Sequence, residues 1–158
     1  MQVLRFLMLL SLVVWIGGII FFAIVAPVAF SVVPTHQLAG NLVGRLLTIL
    51  HWMGLSAAVI FLIASLSYSR LDTGLAHLFA ARNALIVLMV GLTLISMFVV
   101  TTKMDTLRTE RGVIDNVSLS DSRRVEFNAL HQWSTRLEIG VLALGLAVLF
   151  LTGKTISH

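Results

Sequence analysis

An all-α membrane protein, an antiparallel bundle of four transmembrane helices, is the fold this sequence predicts. Two observations carry that expectation. Four long apolar runs fill nearly all of the 158 residues, and each exceeds the roughly 20 helical residues that cross about 30 Å of hydrocarbon. A composition that is 58% hydrophobic and 11% charged, with a mean hydropathy of +1.01, supplies too little polar surface to coat a soluble domain of this size. Helices satisfy their own backbone polar groups in lipid, as an open strand cannot.

The first run spans about 6–33. Pro27 and Pro34 mark its end, because proline lacks a backbone donor. Arg5 precedes it without a convincing cleavage site, the pattern of a retained signal anchor. The second run spans about 42–69, with Gly40 or Asn41 as its start. Leu71, Asp72, Thr73 and Gly74 read as a turn, and the third run follows over about 75–102. A polar loop over about 103–119 is the main aqueous surface. The fourth helix spans about 121–152, with Ser118 placed three residues before Asp121 as a cap. Short connectors make neighbours antiparallel, and residues 1–158 form a single integral membrane domain.

The formal charge of +4 suits arginines and lysines snorkelling at lipid headgroups. Without a basic groove interleaved with stacking aromatics, nucleic acid is not an expected partner. The lipid bilayer is, together with other membrane subunits or a second copy of the chain. The expected location is the cytoplasmic membrane of a bacterium, in multi-pass form. Counting Lys and Arg puts the long loop in the cytoplasm, whereas Arg5 ahead of the first helix argues the opposite orientation. Cysteine is absent, which excludes thiolate metal sites, thioether-attached haem and disulfides.

Polar groups inside an apolar span are costly unless they face the protein interior, so each points to function. Arg45, His51, Arg136 and Glu138 qualify. On the fourth helix Arg124, Asn128, His131, Thr135 and Glu138 recur at steps of four and three and share one face. A structural seam of hydrogen bonds explains that face without a ligand; a site for a ligand or a proton is the sharper alternative. His51 shares its face with Gly44, Leu47 and Ala58, with Gly54 beside it, so it should point into the bundle. In the first helix Ser11, Trp15, Gly18 and Phe22 share a face, which suits close packing or an aromatic wall beside a cofactor. Arg82 should snorkel, and Asn83, Thr93, Ser96 and Thr101 should bond to local backbone.

Leu50-His51-Trp52 and Leu130-His131-Gln132-Trp133 look faintly like a duplicated unit. Two imidazoles on facing helices are a common way to hold haem b. His51 and His131 are therefore candidate haem ligands, with Trp15 and Gly18 as a pocket wall. The register opposes this. His51 stands 15 residues before Leu66 and His131 stands 20 before Leu151, an axial offset of roughly 7 Å. Arg45, Asn128, Thr135, Arg136 and Glu138 form the accompanying polar cluster, and no metal site is expected.

The run from Trp15 to Phe22, followed by Ala26-Pro27-Val28-Ala29-Phe30, resembles the opening of the transmembrane-protein-205-like, domain-of-unknown-function 4149 family. Leu50-His51 and Leu130-His131-Gln132-Trp133-Ser134 are similar to its later elements. The resemblance implies a four-helix membrane protein and assigns no activity. More distantly the pattern looks like copper-resistance D proteins and four-helix protoporphyrinogen oxidases, which bind haem. Where those oxidases carry a histidine two turns before the tryptophan, this chain has Met8, and no histidine precedes His36. The oxidase activity is therefore not carried over. Without a nucleophile and base set, a Gly-rich phosphate loop or an acidic pair, the expectation leans away from an enzyme. It favours a non-catalytic binding or accessory module with a polar site between the second and fourth helices. Alternatives are a haem protein for electron transfer or tetrapyrrole handling, and a small transporter or proton path through Arg45, His51 and Glu138.

Overall fold

A computed structural model describes residues 1–75, 80–109 and 122–156. It contains α1 (Gln2–Val32), α2 (His36–Thr73), α3 (Ala81–Ile95), a π-helical segment (Ser96–Thr101), α4 (Thr102–Thr109) and α5 (Ser122–Ile156). The π segment and α4 prolong α3, so four helices are long and apolar enough to cross a membrane. The described residues contain no strand.

Helix boundaries depart from the hydropathy pattern in an ordered way. α1 continues through Pro27, as membrane helices tolerate a proline within the span. α2 begins at His36 rather than near Gly40, because Thr35 caps it: the Thr35 Oγ1 accepts from the Leu38 N–H at 3.3 Å. Leu71 to Thr73 remain helical, and the reversal falls on Gly74, whose φ of 75° suits a residue without Cβ. The third span starts at Ala81 and continues to Thr109, taking in the first part of the expected loop. Hydropathy marks where lipid ends; a helix of polar residues simply goes on into water. The Ser118 to Asp121 cap lies outside the described residues.

α1 lies along α2 and α3 along α5, while contacts of α1 with α5 and of α2 with α3 close the ring. Met8, Leu12, Trp15 and Ile19 recur at steps of three and four on α1 and are buried, as are Leu50, Phe61, Ile86, Met89, Val141 and Val148. The outward faces are equally apolar, with Phe21 68%, Ile63 62% and Phe150 64% exposed. Apolar residues on both sides mean lipid outside, where burial no longer drives helices together and close packing must. Small residues supply it. A Cβ built on Gly18 would stand 2.9 Å from Leu50 Cδ1, and one on Gly145 would stand 3.0 Å from Ile16 Cγ1.

The π segment is explained by its hydroxyls. Thr101 Oγ1 donates to the Ser96 carbonyl at 3.0 Å and Thr102 Oγ1 to that of Met97 at 3.4 Å, each five residues back. These bonds serve carbonyls that the widened turn presents differently from an α-helix.

Candidate functional site

At the end of the bundle that carries the α1–α2 connector, a cavity of about 530 Å³ lies among α1, α2, α4 and α5. Its apolar wall is made by Phe22, Phe30, Leu47, Phe127 and Ile139 among others, and its polar members include Asp105, Asn128, His131, Ser134, Thr135 and Glu138. On α5 these polar residues follow the three-and-four spacing that gathers one helix face. Pro27 and Ala23 also line it. Proline withholds the N–H that would bond to the Ala23 carbonyl, so that carbonyl lacks its usual helical donor.

His51 forms the link between α2 and that polar face. Its side chain is 1% exposed, and Nε2 lies 2.9 Å from Glu138 Oε1, itself 14% exposed. With the carboxylate as acceptor, the imidazole donates its Nε2 hydrogen. Nδ1 is then buried without a hydrogen-bond partner among the described residues. The pair joins α2 to α5 across the bundle, and Glu138 faces both His51 and the cavity.

Of the residues singled out from the sequence, Asn128, His131, Thr135 and Glu138 come together in the cavity lining. Arg45 and Arg136 do not. Arg45 is exposed on α2 beside Gly44, and Arg136 is exposed one residue beyond Thr135, with its guanidinium 5.6 Å from the Trp133 ring centre. One residue is a rotation of about 100° around a helix, enough to leave the shared face. Trp15 and Gly18 do not line the cavity either. Trp15 packs on Gly54, where an added Cβ would stand 2.7 Å from its Cε2.

His51 and His131 are not paired. His51 meets α5 at Glu138, seven residues beyond His131, which corresponds to about 10 Å along the axis. Two haem ligands need one level, and the Nε2 of His51 is turned to a carboxylate.

Other residues take places that pattern reading assigned differently or not at all. Met104 and Asp105 line the cavity because the third span continues past its hydropathic edge, and Thr101 lines it from just inside that edge. Arg82 is not a snorkelling side chain but is 8% exposed, donating from Nε to Ser65 Oγ at 2.9 Å. Ser65 in turn donates to Asn83 Oδ1 at 2.8 Å, an interhelical bond rather than a local one. Thr93 does bond locally, to the Met89 carbonyl. Among the described residues no group of three or more His, Cys, Asp or Glu is placed to hold a metal ion.

Neither a curated protein nor a solved structure matches this chain. Residues 10–113, about two thirds of its length, match the family described as Domain of unknown function (DUF4149), a stretch that runs from within α1 through α4 and stops before α5. This multi-pass, four-helix chain belongs to that family.

Proposed function

We propose that the protein is a non-catalytic binding or accessory module of a bacterial cytoplasmic membrane, and that it takes a neutral amphipathic ligand into the cavity between α1 and α5. The observation that supports this most is the chemistry of the lining. One flank is hydrocarbon, from Phe22 and Phe30 of α1 and Leu47 of α2, and α5 offers His131, Asn128, Thr135 and Glu138. Small-molecule sites combine an apolar chamber with a few convergent polar groups in the same way. A hydroxyl head would exchange hydrogen bonds with the α5 face while its chain lies along α1.

Monooleoylglycerol, added to protein in mild detergent and followed by native mass spectrometry, tests this. Retention should fall about tenfold in His131→Ala, the loss of roughly one good hydrogen bond. It should also fall in Ala26→Trp, which fills the chamber without touching the polar face. Undiminished retention in both variants would overturn the proposal.

A second function, proton-coupled transport, draws support from the His51–Glu138 pair, an imidazole and a carboxylate in contact within the apolar spans. It predicts proton uptake by protein-containing liposomes that is lost in Glu138→Gln. Haem b finds less support, given the two-turn separation of His51 and His131, and a Soret band that vanishes in His51→Ala would reinstate it.

A further inference from the structure

The opposite end of the bundle, which carries the N-terminus and the end of α5, holds a second polar assembly that the cavity does not use. Tyr68 stands between two guanidinium groups: Arg5 Cζ lies 5.3 Å and Arg82 Cζ 5.9 Å from its ring centre. Arg5 also donates from Nη2 to the Tyr68 hydroxyl at 2.8 Å, while its Nε is buried without a partner. Arg82 is more than nine-tenths buried, and its only hydrogen bond among the described residues is the one from Nε to Ser65. Among those residues neither guanidinium forms a salt bridge to a carboxylate. Asp72 is a nearby charge rather than a bonded partner of Arg82, so a largely buried guanidinium is left without a directly bound anion, an incomplete site.

A hollow of about 310 Å³ lies beside Arg82, bounded by Tyr68, Ser69, Asp72, Thr73 and the start of α3 at Ala80 and Ala81. Among the described residues no side chain caps α3, so its first N–H groups add a positive pole. The wider charge agrees. Asp72 is the one acidic residue of the sequence outside 105–138, while Arg5, Arg70, Arg82 and Lys154 all lie at this end. Depth orders the charges: the Arg82 cation is buried, and Asp72, on the rim of the same hollow, is exposed. A phospholipid headgroup bearing an amine has the complementary order, with phosphate nearer the hydrocarbon and ammonium nearer water.

We propose that this hollow binds an amine-bearing phospholipid, with the phosphodiester on Arg82 and the α3 N-terminus and the ammonium on Asp72. Charge-assisted bonds of a guanidinium to phosphate supply the affinity. Asp72 repels an anion that lacks the amine, and so sets the selectivity.

Full-length protein in mild detergent is titrated with phosphatidylethanolamine, phosphatidylglycerol or inorganic phosphate, and retention is read by native mass spectrometry. Phosphatidylethanolamine should be retained in preference to the other two. Arg82→Gln should weaken it about tenfold or more, the effect of removing one charged hydrogen-bond partner. Asp72→Asn should bring the two lipids to similar retention. Inorganic phosphate competing as well as lipid would identify a free-anion site and overturn the lipid assignment. Equal lipid retention by wild type and Arg82→Gln would overturn the site itself. Should Arg82→Gln fail to yield monodisperse protein, Asp72→Asn at its exposed position decides: an unchanged lipid preference overturns the proposal.

Discussion

Trp15 and Gly54 show how closely two membrane helices can be set by one side chain. A Cβ at Gly54 would fall within 2.9 Å of three Trp15 ring atoms, whereas one at Gly17 would meet nothing within 4 Å. Gly54→Ala should therefore destabilise the bundle by about 1 to 3 kcal/mol, the usual cost of overpacking. Gly17→Ala should be neutral or mildly stabilising, and thermal unfolding in detergent distinguishes the two. Glu138 lends itself to a similar contrast. Glu138→Gln keeps an acceptor for His51 Nε2 and should be tolerated, while Glu138→Leu strands a buried donor at a cost of about 1 to 3 kcal/mol. Interhelical bonds in lipid average about 0.6 kcal/mol, so the lower end of that range is expected. Equal melting temperatures for Glu138→Leu and wild type would show that the 2.9 Å contact contributes nothing.

At the scale of elements, the π segment controls where α4 points. Its single widened turn rotates Met104 and Asp105 relative to an uninterrupted helix, and both line the cavity. Deleting Phe98, an exposed residue of that segment, would restore α geometry and turn everything after it by about 100°. Cysteines placed at positions 104 and 128, cross-linked with a short bifunctional thiol reagent, report the change. Cross-linking should drop sharply in the deletion, and an unchanged yield would mean that the segment does not set the register. The turn at Gly74 is the other element-level determinant. With φ at 75°, Gly74→Ala should cost about 1 kcal/mol, the penalty for a Cβ in left-handed backbone. No such loss would mean the α2 end relaxes freely.

For the whole molecule, apolar residues on both the inner and outer faces make the bilayer part of the fold. The protein should stay in the membrane pellet after an alkaline wash and come out only with detergent. Release into plain buffer would contradict four spanning helices. The two polar assemblies sit at opposite ends, His51 with Glu138 and the cavity toward one, Arg5 with Arg82 and Tyr68 toward the other. Tertiary contact, rather than spacing along any one helix, separates them.

Four spans, their antiparallel order and the shared face of Asn128, His131, Thr135 and Glu138 were legible in the sequence, because hydropathy and helical periodicity are local properties. Helix ends were legible only in part: Thr35 caps α2 through one hydroxyl, and α4 continues through residues as polar as Lys103 and Asp105. Which helix meets which, and at what height, was a matter for the folded chain. The offset between His51 and His131 could be counted approximately, but that His51 reaches Glu138 depends on how α2 and α5 slide past each other. The burial of Arg82 against Ser65 and Tyr68 likewise needed three dimensions, since a charge at a helix start looks the same in one dimension whether it turns to water or inward. Composition alone determines that this chain lives in lipid, for it has too few polar residues to do otherwise. Packing decides which of those few face one another, because a polar side chain in hydrocarbon gains only from a partner that another helix must deliver.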